Sequence, residues 1–259
     1  MAAAAVLAVT ALVGYYTIQG STLSCSDPAG CPDFVIDVHR LAADREGTFD
    51  PPPRIETITF APEDCDVVEG TVLAGERTLL RFTTTTVNKG KGAFIVPDPA
   101  VNPGSFLEWA ECHGHYHMAG YSAYRLWTPV QYKEWQVLQR QRGSKVSSDE
   151  LLAANPDLQP VAGHKQGFCV VDYEPYSTKG QVEPIDDYSG QVYAGCEFPY
   201  SGLSPGWADT YWPSVPGQWV DITGLPSGKY VMENEVNPGR VIEESNYRNN
   251  SVTIEVVIE

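Results

Sequence analysis

"VTIEVVI", residues 252 to 258, sets Val252, Ile254, Val256 and Ile258 on one side of an extended chain and Thr253 and Glu255 on the other. A two-residue period of this kind marks a strand with one face on a core and the other in water. Moving back along the chain, "RTLLRFTTTTV" (Arg77–Val87), "YSAYRLW" (Tyr121–Trp127), "GFCVVDY" (Gly167–Tyr173), "GQWVDIT" (Gly217–Thr223) and "KYVMENEV" (Lys229–Val236) are rich in β-branched and aromatic residues, the side chains that suit a pleated surface. The intervening "NKGKG", "LPSGK" and "VNPGR" carry the Gly and Pro of turns. The chain therefore reads as mainly β. An antiparallel β-sandwich with long loops is the simplest architecture for so many short strands. One interruption, "QYKEWQVLQRQR" (131–142) followed by "SSDELLAANP" with Ser147 or Ser148 as cap and Pro156 as stop, predicts a short helical insertion at about 131–155. "FDPPPR", from Phe49 to Arg54, predicts a stiff exposed connector.

Composition sets the class. The 259 residues include 42% apolar and 11% aromatic side chains with 23 Gly and 20 Pro, as a folded, loop-rich chain has. Seventeen Lys+Arg against 33 Asp+Glu leave a net charge of -16. Neutralising phosphates needs clustered cations, so nucleic acid is excluded as a partner. Cationic ligands are favoured instead, although an acidic surface also serves solubility. From Ala2 to Ile18 the chain is apolar apart from Thr10, Gly14 and Thr17. Residues 1–24 therefore read as a secretory signal, with an uncleaved membrane anchor as the alternative, and residues 25–259 as one folded domain. Six cysteines with no C-x-x-C pair point to disulfides rather than zinc in an exported chain. Spacing alone leaves their pairing open.

"ECHGHYH", residues 111 to 117, places His113, His115 and His117, three of the five histidines, on alternate positions. A helix would send His115 away from the other two, whereas a strand puts all three on one side. Three imidazoles converging from one strand hold a single metal ion and leave positions open for exogenous ligands. Imidazole suits copper, zinc, iron and nickel, with copper(II) at the top of the affinity order. Zinc would make a hydrolase, with Glu108 or Glu111 as base, and spacing does not separate the two metals. A solvated polar face is the alternative without function.

Four ordered stretches carry a resemblance. "EWAECHGHYHMAGYSAYRL", "GHKQGFC" (Gly163–Cys169), "GLSPGWADTYWPSVPGQWVDIT" (Gly202–Thr223) and "VNPGRVIEESNYRNN" (Val236–Asn250) together resemble the lysyl oxidases, over roughly Asp33 to Val257. The resemblance implies a copper amine oxidase whose lysyl tyrosylquinone is made from the chain itself. His113, His115 and His117 fall on the copper ligands, Tyr211 on the cofactor tyrosine and Lys165 on the cofactor lysine. The lysine must be partly deprotonated to add to the oxidised ring, so its surroundings should lower its pKa. Turnover would convert a primary amine, either peptidyl lysine or a small amine or diamine, to an aldehyde. Molecular oxygen would be consumed, and hydrogen peroxide and ammonia released, by a secreted monomer.

The resemblance also implies a calcium site, in which Asp33, the Phe34 carbonyl, Glu244, Asn246, Asn249 and Asn250 supply oxygens fit for a hard cation. Asn246 stands where animal members have Asp. It implies bridges Cys65–Cys112 and Cys169–Cys196, which leave Cys25 with Cys31. It departs from this chain at Ala123, where animal members carry a histidine; either another group, Asp209 or His164, then removes the substrate proton or turnover is slow. A non-catalytic metal-binding β-sandwich module remains the alternative from another class.

Overall fold

The computed structural model describes residues 23–25, 27, 29–42, 53–101, 106–142, 146–176 and 190–259, except the side chains of Arg142, Lys165 and Gln166. The apolar leader through residue 22 and most of the "FDPPPR" connector lie outside the described residues. No helix among the described residues is long and apolar enough to cross a membrane.

In chain order the strands are β1 (Phe34–Ile36), β2 (Arg54–Phe60), β3 (Gly75–Arg81), β4 (Thr84–Asn88), β5 (Phe94–Ile95), β6 (Leu107–Ala110) and β7 (His115–Trp127). They continue with β8 (Ala162–Phe168), β9 (Glu174–Pro175), β10 (Gly202–Leu203), β11 (Trp207–Tyr211), β12 (Trp219–Asp221), β13 (Gly228–Val236) and β14 (Ser251–Ile258). The helices are α1 (Val38–Ala42), α2 (Cys65–Val68), α3 (Pro129–Arg142) and α4 (Ser148–Ala153). The fold is mainly β, and every pairing between these strands is antiparallel. The strands divide over several sheets. These are β1-β4-β11-β9, β12-β3-β2, the pair β10-β5 and the largest, β14-β13-β7-β6, in which β8 also joins β7.

The opening stretch behaves as its alternation requires. On β14, Val256 and Ile258 are buried while Glu255 and Val257 are exposed, and Val252 and Ile254 pack against the main core. That core joins Phe34, Phe82, Tyr121, Tyr124, Phe168 and Met232 from five strands or their ends, with edge-to-face ring pairs such as Phe34–Tyr121 and Phe82–Tyr124. "GFCVVDY" is extended only to Phe168, where β8 ends. Beyond it the Val170 carbonyl accepts from Gly202 N at the start of β10 and from Ser201 Oγ just before it, without forming a strand ladder there.

The helical insertion packs as a second, smaller core. Trp127 at the end of β7 stacks on Trp135 of α3 at 5.4 Å, with Leu151 and Leu152 of α4 and Leu158 completing the cluster. Glu233, fully buried on β13, accepts from both indole nitrogens at 3.0 and 3.1 Å and from Ser251 Oγ. Ser147 caps α4 in a reciprocal pair with Glu150, one of the two serines the sequence offered. Three disulfides, Cys25–Cys31, Cys65–Cys112 and Cys169–Cys196, leave no free cysteine among the described residues.

Candidate metal centre

β6 and β7 form a hairpin whose turn is Glu111–Gly114, and the strand proper begins only at His115. His113 thus lies in the turn, not on the strand where an even spacing of two would put it. Its amide and that of Gly114 both donate to the Ala110 carbonyl, at 3.1 and 2.8 Å. Gly114 sits at φ +69°, a backbone angle that strains any side chain, and this reversal carries His113 back towards the strand. The turn is held from outside. Cys112 is bridged to Cys65, and its amide donates to Glu69 Oε1.

The rings converge. His113 Nδ1 lies 3.2 Å and His115 Nε2 3.1 Å from His117 Nε2, and one ring nitrogen from each of the three falls within 4.8 Å of the others. Two imidazole nitrogens about 2.0–2.1 Å from a tetrahedral ion stand about 3.3 Å apart, so the donor set fits one metal ion. His115 Nδ1 faces the His113 carbonyl at 3.1 Å. A proton held on that nitrogen leaves the Nε2 lone pair for the metal. Burial, then the neighbouring His115 and His113, lower the His117 pKa to about 4, so its ring is neutral and free to ligate at physiological pH.

Tyr211 ends β11. Its hydroxyl donates to the Cys169 carbonyl, and its ring stacks on Phe168 at 4.0 Å. Phe168 pairs across the sheet with Met118, the residue after His117, and the next residue, Cys169, is in the disulfide whose two sulfurs lie within 4.8 Å of a His115 nitrogen. One short segment, Gly167–Cys169, thereby touches both the histidine trio and the phenol. Burial, then the charge of Asp209, push the Tyr211 hydroxyl well above its ordinary pKa. Lys165 lies three residues before Phe168 on β8, with its backbone opposite Ala123 of β7; its side chain lies outside the described residues.

Two residues away from Tyr211, and on the same face of β11, Asp209 is 2% exposed. Its Oδ2 has no hydrogen-bond partner, and burial raises its carboxyl well above the usual range. His164 is engaged elsewhere: Nε2 faces the Gly217 carbonyl at 3.0 Å, and the ring stands edge-on to Tyr124. Of the two carboxylates a zinc hydrolase would call on, Glu111 accepts from the Trp109 indole at 2.8 Å, and Glu108, opposite His117 in the β6–β7 register, is exposed. Neither is among the groups that converge with the trio.

A cavity of about 460 Å³ opens at the trio, lined by His113 and His115 from the hairpin and by Cys196, Glu197 and Tyr200 from the loop before β10. Nothing in the spacing of Glu197 and Tyr200 points to this site, because the Cys169–Cys196 bridge and not local sequence brings their loop here.

The candidate calcium residues gather about β1 and the turn before β14. Glu244 accepts from Phe34 N (2.7 Å), Asn237 Nδ2 (2.6 Å) and Asn250 Nδ2 (2.7 Å), so Phe34 meets it through its amide. Asn249 Nδ2 donates to Asp33 Oδ1, and Asn246 Oδ1 accepts from Arg248 N. The amide oxygens of Asn249 and Asn250 are buried without a hydrogen-bond partner. Burial raises the Glu244 carboxyl to about 7.

Fold and site together define a class: a disulfide-braced, antiparallel β protein with a three-histidine candidate metal centre joined through Gly167–Cys169 to a partly buried tyrosine. A family model described as lysyl oxidase matches residues 59–259, and the chain belongs to the lysyl oxidase family. It is 31% identical over 181 residues to the protein-lysine 6-oxidases of Homo sapiens and Sus scrofa, covering 70% of this chain. It is 29% identical over 200 residues, 76% of this chain, to the Homo sapiens lysyl oxidase homolog 1. These alignments span 34%, 57% and 26% of the respective relatives.

Proposed function

We propose that the protein is a secreted copper amine oxidase that converts the primary amine of peptidyl lysine or a small amine to an aldehyde. Its lysyl tyrosylquinone is assembled from Lys165 and Tyr211. One observation carries the reading: three ring nitrogens are spaced for one ion, and Gly167–Cys169 links that centre to the Tyr211 phenol. Membership of a family whose relatives include protein-lysine 6-oxidases supports it.

Copper and dioxygen would supply the oxidising power that converts the phenol, and the resulting quinone would serve as electron sink for the amine. The rest falls to the chain. His113, His115 and His117 would hold the ion, with His115 fixed by its bond to the His113 carbonyl. Phe168 and the Cys169 carbonyl orient the Tyr211 ring and keep water from one face of it. Asp209 Oδ2, buried without a hydrogen-bond partner on the Tyr211 face of β11, receives the proton from the substrate α-carbon. The overall balance is two electrons from the amine carbon to dioxygen, which leaves as hydrogen peroxide. Water provides the aldehyde oxygen, and the nitrogen leaves as ammonia. A calcium ion near Asp33 and Glu244 would use the two unpartnered amide oxygens of Asn249 and Asn250.

The test is a redox-cycling quinone stain on the full chain matured with copper, together with peroxide release from a diamine. Both signals are expected in the native protein and absent in Lys165→Ala and Tyr211→Phe. A colourless, metal-loaded protein that hydrolyses an ester or amide would install the zinc hydrolase in its place.

A further inference from the structure

Resting on the amine-oxidase reading, we propose that the loop before β10 is the specificity wall of the site: Glu197, with the Tyr200 ring, binds a second ammonium group on the substrate. The loop is built to hold a fixed shape. At its base the fully buried Asp172 accepts from the amides of Val192, Tyr193 and Ser204 and from Ser204 Oγ, at 2.7–3.2 Å. Further along, Cys196 is bridged to Cys169, and the Tyr200 amide donates to the Glu197 carbonyl, closing a turn with Glu197 at its start. A tip carried on so braced a base presents its side chains in one place.

What it presents is chemically specific. Glu197 is the one carboxylate among the residues lining the cavity, and it is in no ion pair among the described residues. Tyr200, 60% exposed, adds an aromatic face, which attracts cations. In the same cavity, His113 and His115 would carry the metal's positive charge. The reacting nitrogen must therefore be neutral at the metal side, while a second, charged nitrogen gains at the Glu197 side. A volume of about 460 Å³ lies within the roughly 300–1,000 Å³ of sites that enclose small molecules. An α,ω-diamine and a lysine flanked by another basic residue share this chemistry.

Binding can be read without catalysis. Calorimetric titration of the metal-free full chain with 1,5-diaminopentane and with 1-aminopentane should show the diamine bound more tightly by roughly two- to five-fold, as for an exposed ion pair. The preference should fade at high salt. Glu197→Gln should erase it, and Glu197→Lys should reverse it. A Lys-Lys dipeptide against Lys-Ala separates the peptide source from the free diamine by the same ratio. Equal binding of both amines by the native chain, or a preference that survives Glu197→Gln, overturns the proposal. Copper-matured protein assayed in parallel keeps the two readings apart. Selective binding without peroxide release defeats the oxidase and leaves the wall standing, whereas peroxide release with no diamine preference defeats the wall alone.

Discussion

Asp209 is where stability and chemistry pull against each other. An unfolded Asp titrates near 3.8, but burial raises the folded carboxyl well above that. Between the two values the folded state keeps a proton that the unfolded state has released, so this group costs stability as pH rises through the window. Asp209→Asn does not titrate. It should melt at a higher temperature than the native chain at neutral pH, and the difference should shrink towards pH 4 in thermal melts. If Asp209 is the base, the same variant should lose about 10²–10⁴-fold in kcat. A more stable and less active protein is the combined signature. The residue scale also shows where sequence stops being informative. The three histidines and the DTYW tyrosine are visible as letters, yet the surroundings of the unpartnered Asp209 Oδ2 include Tyr121 and Tyr124 from β7, which no local pattern around Asp209 announces.

Among the elements, β7 does two jobs. Its first residues pair with β6 and carry His115 and His117; its last pair with β13 and β8 and end in Trp127. The β7–β8 register shifts between Met118 and Ser122, with Gly120 at φ +61°, and separates the two halves. The alternation of β14 and the helix formers of α3 were legible because each is a local pattern. The turn that displaces His113 was not, because a spacing of two fits a strand equally well and only Gly114 hints at a reversal. Nor does any local signal show that α3 hangs on Glu233, 98 residues from Trp135. Trp135→Ala removes a fully buried indole and one donor to that carboxylate. Loss of about 3–5 kcal/mol is expected in denaturant titrations, with the quinone stain retained if the insertion serves stability alone.

For the whole molecule, the bridges decide more than the sheets do. Cys169–Cys196 spans 27 residues, and closing a loop of that length is worth about 3–4 kcal/mol in the chain-entropy account. Cys169→Ser with Cys196→Ser should lower the denaturation midpoint accordingly. It should also diminish quinone yield beyond what misfolding explains, since the same bond sets the Tyr211 acceptor and the cavity wall. Native near-ultraviolet circular dichroism with a full quinone yield in that double variant would show the bridge to be a staple only. The phenol's dock, a carbonyl belonging to one of the paired sulfur residues, imposes a sequence of assembly. On the proposed function, oxidative folding would come first, because the bridge adds to the β8 pairing and the Val170 bonds in fixing the anchor for the ring. The proposed copper loading and ring oxidation would follow. A chain synthesised where thiols stay reduced would meet its metal with the tyrosine unmoored.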